Sequence, residues 1–501
     1  MERAKKSVRN ISAGLLYQAI NVIAGFLVRT MMVKFLGLSI ISLNGLYWEI
    51  VSMLSLAELG IGSAVVYHLY QPVAERRIED IKKIMGLYRR CYRIIAALCF
   101  VFGCAIAAFI PTIVNGLDFT PAYLRFVFLL YVVQVSVSYL FVANTTLLQA
   151  DQKRYKTVLL QSLIKAVATI FTMLALWRYK NFVIYLCVTI LVTLATNMFS
   201  SKQAVKEYPF LKDPYQPMSL KEAKILFINV KDIFIKKVAG YVTNSTDNIC
   251  ISALVGTVQV GYYSNYSMLF HAVRQIEQQI ADGFSASIGN IAAVESAQYM
   301  DRVICRLTIL MHLFGSVMSA GLMACAGNFI DIWIGNEYKL PGVIIMICCL
   351  NTYLMIIKEP LWQTMDACGM FAFDKKLAIA GTIVNLGISV VFGIKLGMAG
   401  IFIGTAVSLL FEMAGKTYGL YKKKLKADPG RYTGILTKMG LSECALLYIT
   451  YWLSEKIYVN PYIDFFIKGI AAVIISVLFC GITFGKNYIL EMKTYRKKRG
   501  L

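Results

Sequence analysis

The residues of this chain with chemistry to offer are ionisable side chains set inside apolar stretches. The bases are Arg29, Lys165, Lys231, Lys236, Lys237, Arg274, Lys358 and Lys416; the acids are Glu49, Glu58, Asp232, Asp247, Glu277, Asp282, Glu359 and Glu412. A charge at the centre of a lipid-embedded helix costs about 2.5–3.5 kcal/mol on insertion scales, so such groups normally face a cavity or a partner. A guanidinium suits phosphate as well as carboxylate. Arg29, Lys165, Lys236, Arg274 and Lys358 are therefore candidates to bind an anionic substrate, and Glu49, Glu58, Asp247 and Glu277 are candidates for ion coupling or ion pairing.

Spacing sharpens some of these. At about 1.5 Å per residue, Arg29 rising through one span and Glu49 descending through the next reach nearly the same depth. Two readings stand: Arg29 contacts substrate, or it bridges to Glu49. Asn229, Lys236, Thr243 and Asp247 share one helical face, as do His271, Gln275, Gln278 and Asp282, flanked by Arg274 and Glu277. These stripes either line a water-filled lumen or pair between helices. Gln134, Ser138, Thr145 and Gln149, and then Gln161, Lys165 and Thr169, also recur at helical spacing. Such groups suit sugar hydroxyls and suit interhelical hydrogen bonds equally. Lys358, Glu359 and Pro360 fall mid-span, where proline removes a backbone bond and favours a hinge; Lys358 there either binds a phosphate or pairs locally.

Catalytic machinery is not visible. His68, His271 and His312 are the only histidines, and none lies in HExxH or beside a nucleophile. The twelve cysteines have no CxxC or metal-ligand spacing and read as packing residues. Gly60-Ile61-Gly62 lacks the strand and helix of a nucleotide loop and reads as close helix packing. The expectation is a protein that is not an enzyme, with no cofactor and no metal.

The elements that must carry these residues follow from composition. Hydrophobic residues make up 58% and charged residues 16% of the 501 positions, with a mean hydropathy of +0.62. A soluble core does not hide that much apolar surface. The formal net charge of +23 suggests nucleic acid until its placement is seen. Lys and Arg concentrate in alternate loops, including Arg76, Arg77, Lys82, Lys83, Lys153, Arg154, Lys375, Lys376, the Lys422–Lys426 cluster and the 496–499 tail. That is the positive-inside pattern, with anionic lipid as a sufficient partner and both termini cytoplasmic.

Apolar windows place spans near 11–36, 41–68, 91–114, 121–149, 157–177 and 181–200. Six more fall near 225–254, 258–287, 303–330, 341–368, 376–394 and 397–420, and a last pair near 433–454 and 463–484. The basic amino terminus precedes too long an apolar run for a signal peptide and reads as an uncleaved first span. The expected fold is an all-α integral membrane protein of about 14 transmembrane helices. Its organisation is an N-terminal lobe over 1–200, a cytoplasmic linker over 201–224 with Pro209, Pro214 and Pro217, a C-terminal lobe over 225–420, and a helix pair with a basic tail over 421–501. The halves echo each other at an offset of 219 residues: Phe35-Leu36-Gly37 meets Leu254-Val255-Gly256, Tyr47 meets Tyr266 and Glu58 meets Glu277. Six spans return the chain to the same side, so the repeat is parallel and a central cavity is expected between lobes.

The segment Phe35 to Glu75, FLGLSIISLNGLYWEIVSMLSLAELGIGSAVVYHLYQPVAE, resembles the amino-terminal signature of bacterial polysaccharide-biosynthesis flippases. These are the O-antigen and capsule repeat-unit translocases of the multidrug/oligosaccharidyl-lipid/polysaccharide exporter superfamily. Val260-Gly261-Tyr262-Tyr263-Ser264-Asn265-Tyr266 is similar to the corresponding element of the second half. The resemblance implies a two-lobed bundle in the bacterial inner membrane that moves undecaprenyl-diphosphate-linked oligosaccharide by alternating access. It also implies arginines on the first and eighth spans, carried here by Arg29 and Arg274, and a polysaccharide polymerase and glycosyltransferases as partners. A multidrug antiporter of the same superfamily, coupled to Na⁺ or H⁺ through lumen carboxylates, is the alternative; a membrane-embedded glycan polymerase is one of a different class.

Overall fold

The computed structural model describes residues 2–54, 61–151, 153–214, 218, 246–294, 296–457 and 460–499. Among them all regular structure is helical. The first six helices are α1 (Glu2–Leu54), α2 (Ile61–Ala74), α3 (Ile78–Ile113), α4 (Pro121–Ala150), α5 (Arg154–Tyr179) and α6 (Phe182–Glu207). Then come α7 (Asp247–Leu254), α8 (Thr257–Val294), α9 (Ala297–Ile334), α10 (Gly342–Ile357), α11 (Glu359–Ala367), α12 (Phe371–Leu396), α13 (Met398–Gly419), α14 (Gly430–Lys456) and α15 (Pro461–Arg499).

Local chemistry sets several starts. Thr120 accepts the Tyr123 amide at 3.3 Å while Pro121, with no N–H to satisfy, opens α4. Asn181 accepts the amides of Val183 and Ile184 to start α6. Gly37 splits α1 into two limbs by taking φ +78°, and Gly256, its counterpart at the 219-residue offset, takes φ +130° between α7 and α8. Only glycine adopts such angles without strain.

Ten helical stretches among the described residues are long and apolar enough to cross a membrane. Their outward side chains are apolar: Phe171, Ile383 and Ile482 are 62%, 66% and 84% exposed. A surface of that kind is stable against lipid rather than water, and helices satisfy every backbone group internally. The chain is an all-α integral membrane protein. Of the fourteen expected spans, the first and the start of the second share α1 across Gly37; the rest of the window at 41–68 falls on residues 55–60, outside the described residues, and on the start of α2. The spans expected near 258–287 and 433–454 correspond to α8 and α14, which carry too many polar residues to stand out by hydropathy, and the seventh lies outside the described residues apart from α7.

The chain divides into two compact units, Met1–Tyr241 with Gly256–Gly261, and Val242–Val255 with Tyr262–Leu501. In the first, α3 packs on α4, α4 and α5 on α6, and α1 on α5, around a core that includes Leu69, Met85, Tyr88, Tyr92 and Leu147. In the second, α12 packs along α13, while α9 receives α10, α14 and α15. Its core includes Ile304, Leu361, Tyr421 and Tyr432.

Candidate functional site: a buried charge cluster

The second unit gathers seven charged side chains from α8, α10–α11, α12 and α13. Arg274 and Glu277, one turn apart on α8, form an ion pair of 2.7 Å; Glu277 is fully buried and Arg274 one-quarter exposed. Lys416 on α13 binds Asp374 of α12 at 2.6 Å and Glu412, four residues earlier on its own helix, at 3.4 Å. Both Lys416 and Asp374 are 1% exposed, so this pairing is made away from solvent, where removing one member leaves an uncompensated charge.

Small residues make this contact available. A Cβ at Gly381 on α12 would stand 2.5 Å from the Glu412 carboxylate, and one at Gly404 on α13 would stand 2.2 Å from the Ser389 hydroxyl. Glycine at both positions lets the two backbones approach closely, as small residues do at helix interfaces in membranes.

Lys358 caps the junction between α10 and α11 and is buried. Its ammonium lies 5.1 Å from the Trp362 ring centre, and that of Lys416 lies 3.6 Å from the same ring. The negative face of the indole attracts both cations. Arg274, Glu359, Glu412 and Lys416 all act electrostatically on Lys358, yet among the described residues no carboxylate comes within 4 Å of it. Glu359 instead accepts from Gln363 at 3.1 Å. The local pairing of Lys358 with Glu359 is thus not made at ion-pair distance. Pro360 enters at the start of α11, and Lys358 keeps helical angles of φ −68° and ψ −26°, so the helix is interrupted here without a sharp turn.

The other expected residues are dispersed. Arg29 is buried on α1 within electrostatic reach of Tyr131 and Tyr185, and Tyr131 donates to Asn44 at 2.6 Å. Glu49, on the second limb of α1, and Lys165, on α5, are half-buried. Asp247 accepts from Thr405 at 3.3 Å. Glu58 and Lys236 lie outside the described residues, as do Lys231, Asp232 and Lys237.

The polar stripes of the fourth and fifth spans serve helix packing. Gln134 bonds Thr193 at 3.3 Å, Asn197 donates to the Ser138 carbonyl at 3.2 Å, and Gln161 reaches Ser200 at 3.5 Å. Thr145 and Thr169 bond their own helices. All twelve cysteines are free thiols, and no group of three metal-ligating side chains occurs among the described residues.

Sequence reasoning passes over Asp374 because it precedes the apolar window at 376–394, and over Trp362 because a tryptophan in a span reads as packing. The i, i+4 spacing of Glu412 and Lys416 was the signal available for the rest.

The order and packing of the helices give a fold shared with solved structures of membrane transport proteins. The lipid II flippase MurJ, in an inward closed conformation, matches with a TM-score of 0.70 over 97% of this chain and 100% of its own, at 13% identity. An inward-facing multidrug resistance MATE family transporter of the MOP superfamily matches at 0.64 over 80% of this chain and 94% of its own, also at 13% identity. The eukaryotic MATE transporter AtDTX14 matches at 0.60 over 89% and 99%, at 12% identity. No family model and no curated protein matches the sequence.

Proposed function

We propose that this protein is a flippase, not an enzyme, that moves undecaprenyl-diphosphate-linked oligosaccharide repeat units across a bacterial inner membrane by alternating access. The observation that carries the reading is Lys358, a buried cation 5.1 Å from the Trp362 ring centre and within electrostatic reach of Arg274, with no carboxylate at ion-pair distance among the described residues. A diphosphate supplies the missing counter-charge. The likeness to MurJ over 97% of the chain supports a lipid-linked cargo, and the basic loops support cytoplasmic termini. Arg29, buried among tyrosines in the first unit, is a second cation for the cargo. A polysaccharide polymerase and glycosyltransferases of an O-antigen, capsule or lipopolysaccharide pathway act before and after it.

The alternative is a cation-coupled multidrug antiporter, favoured by the carboxylates Glu277, Asp374 and Glu412 in the same cluster. Proteoliposomes loaded with undecaprenyl-diphosphate oligosaccharide separate the two. Wild type exposes the sugar to an external probe, while Lys358→Met and Arg29→Ala lose at least about tenfold in rate, the scale of one charge-assisted contact. Lys358→Met suits the test because, among the described residues, no carboxylate lies at ion-pair distance from Lys358. Full activity in both variants, or drug efflux without sugar movement, overturns the flippase.

A further inference from the structure

Away from that cluster, α9, α10, α14 and α15 surround the carboxyl group of Glu443. Glu443 on α14 is fully buried. The hydroxyls of Ser316 and Ser319 on α9 stand 2.6 and 2.5 Å from its two oxygens. Ser316 is also 3.4 Å from Nδ1 of His312, one turn earlier, and that nitrogen is 2.7 Å from the Tyr353 hydroxyl on α10. From α15, Ser476 donates to the Ser316 carbonyl at 3.4 Å and Cys480 lies 3.8 Å from the other imidazole nitrogen. His312, Ser316, Ser319, Tyr353, Ser476 and Cys480 are all buried.

The titratable groups facing Glu443 are His312 from α9, Tyr353 and Cys349 from α10, Cys480 from α15 and its own neighbour Cys444. Among the described residues no Lys or Arg pairs with it, and α13 brings no charge to it. A carboxylate held only by hydroxyls inside a membrane protein is costly, and groups of this kind in spans characteristically carry protons. A simple tie between helices needs no acid, since glutamine makes neutral hydrogen bonds of the same reach. Glutamate with an imidazole one hydroxyl away adds the capacity to take up and release a proton.

We infer that Glu443, Ser316 and His312 together bind one exchangeable proton, and that this proton is the ion coupled to transport. The inference rests on the transport reading above. The carboxyl passes its proton to Oγ of Ser316 as the serine hydroxyl proton passes to Nδ1 of His312. A neutral acid and neutral imidazole become a carboxylate and an imidazolium, and the site stays neutral overall. Loss of the proton to bulk leaves a bare carboxylate, which requires water at the junction of α9, α14 and α15. Release is thereby tied to movement of the C-terminal helix pair.

Two measurements test it. Infrared spectra of the purified protein across a pH series should contain a protonated-carboxyl band that titrates and that is absent from Glu443→Gln. In proteoliposomes an imposed pH gradient should raise wild-type translocation several-fold, and Glu443→Gln should no longer respond. If that variant does not fold, Ser316→Ala keeps the carboxyl, cuts the link to His312 and should reduce the response several-fold. A response to a Na⁺ gradient and not to pH, or an undiminished pH response in the variants, overturns the inference. Should no cargo move in wild type, the infrared series still decides: a titrating Glu443 band supports the proton site while the cargo reading fails, and its absence overturns the site.

Discussion

The two units share a frame and differ in what they bury. In each half of the sequence a glycine with positive φ, Gly37 or Gly256, precedes a fully buried tyrosine at the same offset, Tyr47 in the first unit and Tyr266 in the second. Tyr47 donates to the Leu124 carbonyl near the start of α4, and Tyr266 accepts the Leu340 amide just before α10. Around that common frame, the first unit buries Arg29 beside Tyr131 and Tyr185, and Lys153 and Glu207 form an ion pair at partly exposed positions. The second unit sinks Asp374, Lys416, Glu277 and Lys358 into its interior. The repeat therefore supplies the scaffold, and the dense charge cluster is placed in one copy of it.

The sharpest way to break this comparison is to remove Lys416. Lys416→Met leaves Asp374 and Glu412 buried with their shared cation gone, a change that costs about 3–5 kcal/mol. Thermal or denaturant unfolding in detergent should record that loss. Pairing it with Asp374→Leu should restore much of it, since apolar replacements for a buried ion pair are often neutral or better. A loss under about 1 kcal/mol in the single variant would mean that water already reaches the pair, and the contrast with the first unit would fail.

The corresponding probe of the first unit is Asn144. Its amide accepts from Arg89 at 2.8 Å and donates to Ser201 at 2.7 Å, joining α3, α4 and α6. Asn144→Ala should cost about 1–3 kcal/mol in the same measurement, the scale of a buried polar group left without its partner. A cost as large as that of Lys416→Met would show that both units depend equally on their polar interiors.

Much of the frame is legible in the amino-acid sequence. Apolar windows about 20 residues long mark helices because lipid leaves the backbone no other partner, and the Gly37–Gly256 and Tyr47–Tyr266 correspondences came from a weak internal repeat. The site was legible only in part. Arg274 and Glu277 stand three residues apart, so their pairing is written in the sequence. Asp374 and Lys416 are 42 residues apart on different helices, and only the close approach permitted by Gly381 and Gly404 unites them. Glu443 sits inside the window at 433–454 but escapes notice there, because its partners Ser316 and Ser319 lie on α9, more than 120 residues away.

The smallest effect comes from the ionic knot of the first unit. Lys153 binds Asp151 and Glu207, each at 2.8 Å, with 23% of its side chain exposed. Partial burial works against its charge, but the hydrogen bonds to Asp151 and Glu207 outweigh it and hold the ammonium above its ordinary 10.5. A raised value means that the stabilisation is fully present below about pH 10.5 and is lost only as pH rises through the higher folded-state value. Lys153→Met should therefore cost about 0.5–1 kcal/mol uniformly between pH 6 and 9, and the variant should lack part of the wild-type loss under alkaline conditions. Because the knot borders solvent, raising salt from 0.05 to 0.5 M should shrink that difference. The cost of Lys416→Met should hold steady over the same range, its partners being buried beyond the reach of counter-ions. Equal salt sensitivity at the two lysines would place them in the same environment and remove the distinction between the units.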